Sequence, residues 1–100
     1  MESVFLGTEI KFAVEVTCEG FDMDTDDFTC SIMKGHNVVK EYAKSDLIVE
    51  EGTYILCIDT TEIGAGNFDL AINAQVSDGH FPDSKRTEIE RVSLMTIKKL

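Results

Sequence analysis

Two stretches of this chain alternate apolar and polar residues with a period of two over the length of a strand. In one, Ile10, Phe12, Val14 and Val16 are separated by Lys11, Ala13 and Glu15. In the other, Phe68, Leu70, Ile72, Ala74 and Val76 are separated by Asp69, Ala71, Asn73 and Gln75. Successive side chains on a strand point to opposite faces, so each stretch is a ribbon with one oily face and one wet face. Shorter runs of the same character recur, each closed by Gly, Asn or Asp. Ribbons of this kind bury their oily faces only against one another, which makes the chain all-β, a sandwich or a barrel.

Turn residues set the boundaries. Strand 10–17 runs into the polar segment 20–27, and a second strand covers 28–34 with Phe28, Cys30 and Ile32 facing inward. Gly35-His36-Asn37 is a compact turn, since Gly and Asn tolerate positive φ, and strand 38–43 returns from it. Ser45 to Glu50 is a weaker element, Glu51-Gly52 is a further turn, and 53–59 is a strand. The segment from Thr60 to Gly66 reads as one helical turn or a wide loop, started by a Thr cap and ended by its glycines. Strand 67–76 follows, then a loop over 77–85 with Asp78-Gly79 and Pro82, then a long strand over about 86–97.

In that last strand the apolar parity slips: Ile89 is odd, Val92 and Leu94 are even, and Met95 and Ile97 are odd again. A slip of one residue turns every later side chain to the other face. Bulges near Glu90–Arg91 and near Leu94–Met95 are expected to absorb it. The reading is one domain over residues 1–100, an immunoglobulin-like antiparallel β-sandwich of six to eight strands joined mostly by hairpins. Glu51-Gly52-Thr53-Tyr54 resembles the turn and Tyr that open a late strand of immunoglobulin domains. However, Cys57 follows Tyr54 by three residues instead of two, and the chain has no Trp.

A length of 100 residues is one domain, and an apolar fraction of 43% is too high for a disordered chain. Nine basic residues against nineteen acidic ones leave a formal charge of −10. Such a charge repels phosphate backbones and anionic bilayers, so neither nucleic acid nor a membrane is an expected partner. The opening Met1-Glu2-Ser3-Val4-Phe5-Leu6-Gly7 lacks a basic leader and a long apolar core, so it does not read as a signal peptide. The longest uninterrupted apolar run, Tyr54 to Ile58, is too short to cross a bilayer. A cytoplasmic or virion-associated location is expected. Cys18, Cys30 and Cys57 are odd in number and lack a C-x-x-C spacing; three free thiols are expected over one disulfide, which suits a reducing compartment.

The acidic run Glu19, Asp22, Asp24, Asp26 and Asp27 has the opening rhythm of a calcium loop, but no Gly stands at the sixth position and Met33 stands at the twelfth. It reads as a solvated loop. Ser77-Asp78-Gly79-His80 contains the residue types of a hydrolase triad; consecutive loop residues do not provide a base bonded to a nucleophile with an orienter behind it. His36 and His80 read as exposed turn residues without zinc spacing. Ile63-Gly64-Ala65-Gly66 lacks the Lys of a phosphate loop. No catalytic residue, metal ligand or cofactor is assigned. Phe81-Pro82-Asp83-Ser84-Lys85-Arg86 carries more weight: Pro82 biases Phe81 to an extended backbone. Phe81 either folds back over the open end of the sandwich or stands as an anchor for a partner, where aromatics and Arg dominate. Phe81, Pro82, Arg86, Phe21, Asp22 and Asp24 are the interaction candidates.

Three blocks carry a resemblance. They are Gly20-Phe21-Asp22-Met23-x-x-Asp26-Asp27-Phe28, Ile58-Asp59-Thr60-Thr61-Glu62-Ile63-Gly64-x-Gly66, and Phe81-Pro82-Asp83-x-x-Arg86-Thr87-Glu88. With them the sequence resembles a family of short, mostly uncharacterised β-sandwich domains of bacteria, their phages and mobile elements. Its layout is similar to the amino-terminal domain of phage baseplate upper proteins. Ser84 departs from the pattern, standing where Gly is expected. The resemblance implies a structural mount without catalysis, that is, an assembly module docking a protein partner or another copy of itself. The alternative is a module binding carbohydrate or another small polar ligand; an enzyme and a calcium-stabilised adhesion domain rank lower.

Overall fold

The alternating run around Phe68 becomes the spine of the larger of two sheets. In the structure, a computed structural model that describes residues 2–100, the chain forms eight strands. They are β1 (Glu2–Phe5), β2 (Glu9–Val14), β3 (Asp27–Lys34), β4 (Asn37–Ala43), β5 (Ile48–Glu50), β6 (Thr53–Asp59), β7 (Gly66–Ser77) and β8 (Lys85–Lys98). Single 3₁₀ turns, Lys44–Asp46 and Thr60–Glu62, precede β5 and β7. One sheet has the order β1-β8-β7-β3-β4 and the other β2-β6-β5. The chain changes sheet after β1, β2, β4 and β6, while β3–β4, β5–β6 and β7–β8 are hairpins.

The two inner faces share one core. Phe28, Cys30 and Ile32 of β3, Phe68 to Val76 in alternation on β7, and Met95 and Ile97 of β8 meet Val14 of β2 and Leu56 and Ile58 of β6. This is the arrangement of a β-sandwich, with each sheet burying the face that the other cannot leave wet. Leu47, just after the first 3₁₀ turn, is buried between the sheets where the chain crosses from β4 to β5. Burying aliphatic and aromatic side chains of this size stabilises the fold by about 1.5–3 kcal/mol each.

Several sequence expectations are corrected. Strand 10–17 stops at Val14, whose pairing with Tyr54 is the last rung of its ladder with β6. Val16 still packs against the core from outside the ladder. The turn before β7 is capped by Asp59, whose carboxylate accepts from the Thr61 N–H at 3.0 Å, and not by a Thr. β1 lies outside the sequence reading and runs parallel to β8, Glu2 beside Met95 and Phe5 beside Lys98, so the sheet is not wholly antiparallel.

The parity slip in β8 has one bulge, not two. Phe68 faces Met95 while Asp69 faces Ser93, which leaves Leu94 as the extra residue. Around Glu90–Arg91 the register is unbroken, Ile72 facing Glu90 and Ala71 facing Arg91. Ile89 is odd because it lies on the outer face, opposite Asn73, and is 69% exposed. A second bulge, at Val39, bends the edge strand β4.

Two turns show how local chemistry sets register. The β5–β6 hairpin turns on Glu51 (φ +52°) and Gly52 (φ +78°), both left-handed as a type I′ turn requires. At Gly66 φ is +146°, a backbone that L side chains rarely adopt, and a Cβ there would also press on the end of the Lys34 side chain at 3.0 Å, so β7 starts where any side chain is strained.

Candidate functional site

The acidic loop between β2 and β3 and the Phe81 loop between β7 and β8 come together at one end of the sandwich. Two polar links join them. Asp26 is 2% exposed and accepts from the Ser77 hydroxyl at 2.6 Å and from the Asp22 N–H at 3.1 Å. The Ser77 bond and then the Asp22 bond hold its carboxyl below the usual range. The second link is Arg86, which donates to Asp78 Oδ2 at 2.7 Å, to Glu88 Oε1 at 3.1 Å and to the Glu19 carbonyl at 2.8 Å. The His80 N–H, followed by Arg86, likewise pulls the Asp78 carboxyl down.

The six interaction candidates therefore divide. Phe21 is half-buried, its ring edge-on to Phe28 at 6.1 Å, and Phe28 is edge-on to Tyr54 at 5.7 Å. Arg86 spends its guanidinium on the three acceptors just named. Asp22 accepts from the Asp24 N–H at 2.9 Å, which shapes the loop, and Asp22 and Asp24 face solvent. Phe81 is 45% exposed and lies outside the core cluster, with Pro82 exposed beside it. Ser84 takes φ +57° and its N–H donates to the Phe81 carbonyl at 2.9 Å, so a Ser occupies a left-handed position that favours Gly.

The chemistry-bearing motifs are spent on structure. Ser77 turns its hydroxyl onto Asp26, and Asp78 pairs with Arg86, while the His80 ring stands in solvent 3.5 Å from Asp78. Within the acidic run Asp22, Asp26 and Asp27 turn their carboxylates onto the backbone N–H groups of Asp24, Asp22 and Phe28. Among the described residues no group of three or more His, Cys, Asp or Glu is placed to hold a metal ion. All three cysteines are free. Burial pushes the Cys30 thiol up to about 11. Cys18 is pushed up by burial, then by the charges of Glu88 and Glu90.

Two of the open grooves bear on the functional reading. One, of about 490 Å³, lies along the 3₁₀ turn after β4 and is lined by Asp27, Lys44, Leu47, Val49 and Tyr54. Its polar groups are largely occupied: Lys44 donates to the Asp26 carbonyl at 2.8 Å, and the Tyr54 hydroxyl donates to the Met23 carbonyl at 3.2 Å. The other, of about 260 Å³, opens between β2 and β8, with Phe12, Ile72 and Val92 as its floor and Glu15 and Glu90 beside them. Sequence reasoning missed it. Its signal is the apolar Val92 on the core face of β8, 40% exposed, which the sequence reading absorbs with a bulge instead of with exposure.

No helix among the described residues is long and apolar enough to cross a membrane. No protein-family model matches the chain, and no curated protein matches it.

Proposed function

We propose that this chain is a non-enzymatic, immunoglobulin-like assembly module that docks other proteins, in the setting its resemblance implies, a phage or mobile-element particle. The carrying observation is where large apolar side chains stand in solvent. Ile48 and Val49 lie on the edge strand β5, Phe81 at the loop end, and Ile89 and Val92 along β8. Exposed apolar groups at sheet edges and loop ends are the means by which a sandwich holds partners. Asp26, Asp78 and Arg86 at the loop end, by contrast, are consumed by internal hydrogen bonds. A charge of −10 sets the surface against nucleic acid.

The strand order supports the immunoglobulin-like part. β2-β6-β5 corresponds to the B-E-D sheet, and β8-β7-β3-β4 to G-F-C-C′, with β1 laid on G. Under this mapping Tyr54 opens strand E, not a late strand. Phe68 and Leu70 of strand F take the places two residues apart that a Tyr and a Cys hold in antibody domains.

Light scattering on size-exclusion fractions, with cross-linking and mass spectrometry in lysate from the native source, tests this reading. The expected result is a stoichiometric protein complex with cross-links from lysines at a sheet edge or loop end. A strict monomer without any cross-linked partner overturns it. The groove beside Tyr54 falls within the size range of ligand sites and supports the carbohydrate reading in second place; a clear hit on a glycan array would promote it.

A further inference from the structure

The second edge of β8 is bare for most of its length. On one side β8 pairs with β7 from Lys85 to Ile97. On the other, β1 pairs only with Met95 to Lys98, so among the described strands none lies along residues 85–93. An open row of backbone donors and acceptors is a template for a further strand. Beside it runs the groove between β2 and β8.

We infer, building on the assembly reading, that residues 85–93 of β8 receive an extended segment of a partner protein, which continues the line of β1 as an added strand. Its face toward β2 carries basic side chains followed by an apolar one. The register fixes this chemistry. Glu88, Glu90 and Val92 lie on the core side of β8, opposite Ala74, Ile72 and Leu70 of β7. The groove adds Glu15 and an apolar floor of Phe12 and Ile72, and no basic residue lines it. Glu90 meets only the neutral donors of Thr17, at 3.2 and 3.3 Å, so its charge is not cancelled there, whereas Glu88 shares its charge with Arg86 at 3.1 Å. Directly opposed cross-strand pairs favour opposite charges, so the arriving strand places Lys or Arg against Glu88 and Glu90, an apolar residue against Val92, and a β-branched one against Ile89.

A second copy of this chain meets like charges in several registers of the same edge. Antiparallel self-pairing with a shared core face, centred on Ile89, sets Glu88 against Glu90 of the other copy. Centred on Glu88, Glu90 or Arg91, it sets each of these against itself. Like charges directly opposite are destabilising, so these registers are disfavoured, and the register centred on Thr87, which sets Arg86 against Glu88 of the other copy, is the one the self-association test below addresses.

The probe is the peptide Ser-Thr-Val-Thr-Lys-Val-Lys-Thr-Ser, with a counterpart carrying Glu for each Lys, titrated into the whole chain and followed by amide hydrogen exchange. The expected result is that the basic peptide binds and slows exchange at the outward-facing amides of residues 85–93, while the acidic one does not. Glu90→Lys is expected to weaken the basic peptide about tenfold, since it turns an attractive cross-strand pair repulsive, and to admit the acidic one. Val92→Arg, at a position already 40% exposed, tests the same edge should Glu90→Lys disturb the Thr17 loop. Three results would overturn the inference: no binding, binding without protection on β8, or self-association of the chain through this edge. None of them touches the assembly reading, which stands or falls on the cross-linked partner.

Discussion

Thr60 is the smallest change with the largest expected consequence. It is fully buried, and its hydroxyl accepts from the Gly7 N–H at 2.9 Å and donates to the Thr8 carbonyl at 2.8 Å. The turn it holds carries the chain from β1 in one sheet to β2 in the other. Thr60→Val keeps the volume and removes both bonds. The Thr8 carbonyl retains the Thr60 N–H at 3.2 Å, whereas the Gly7 N–H loses its partner. Each lost bond costs about 1 kcal/mol net, and an orphaned donor adds about 1 kcal/mol at an exposed residue where water gives partial relief. The sum is about 2–3 kcal/mol, or a fall of about 10–15 °C in Tm for a domain of this size. Thr60→Ser keeps both bonds and loses a methyl, costing about 1 kcal/mol. Urea unfolding followed by circular dichroism measures both variants. If Thr60→Val is as stable as Thr60→Ser, the hydroxyl does not tie the sheets and the reasoning fails.

Three further outcomes are expected. Glu51→Asn and Ser84→Gly relieve left-handed strain and each raise stability by about 0.5–1 kcal/mol, read as a higher urea midpoint; a lower midpoint for either contradicts the φ values. Asp26, Asp59 and Asp78 all have carboxyls held below the ordinary 3.8, so the unfolded chain binds more protons than the folded one in that range. Their stabilisation is complete above about pH 4 and lost as pH falls through the folded values. Asp26→Asn is expected to flatten the acid limb of midpoint against pH, and an unchanged limb rules out its part. Iodoacetamide at mild alkaline pH is expected to label exposed Cys57 first and half-buried Cys18 more slowly, with Cys30 labelled only on unfolding; early labelling of Cys30 on peptide mapping counts against the core.

What the sequence made legible follows from how each strand is buried. β3, β6 and β7 bury one face over their whole length, so Phe28 to Ile32 and Phe68 to Val76 announce themselves by alternation. β1 does not, because four residues leave Val4 alone to mark a core face, and its parallel seat on β8 is chosen by tertiary packing. Ile89 misled because an apolar residue on a wet face looks, in one dimension, like a change of register. At the loop end the acidic run was readable as a loop, but the burial of Asp26 was not. Its partner, Ser77, is distant in sequence and only the fold brings it within 2.6 Å. The contacts of Arg86 with Asp78 and the Glu19 carbonyl were hidden for the same reason.

The parallel seating of β1 also decides how this protein should be handled at the bench. Because β1 advances in the same direction as β8, a purification handle added ahead of it is aimed back along the ridge that holds Ile89 and Val92, where it acts as a tethered competitor. A handle added after Leu100 departs beside Leu6, whose N–H donates to the Lys98 carbonyl at 2.8 Å. That is the far pole from Phe81 on a body whose longest dimension is 50 Å. Sensor immobilisation through the carboxyl terminus therefore leaves both candidate contact regions open, and the two tagging schemes are expected to give different apparent affinities for the same analyte.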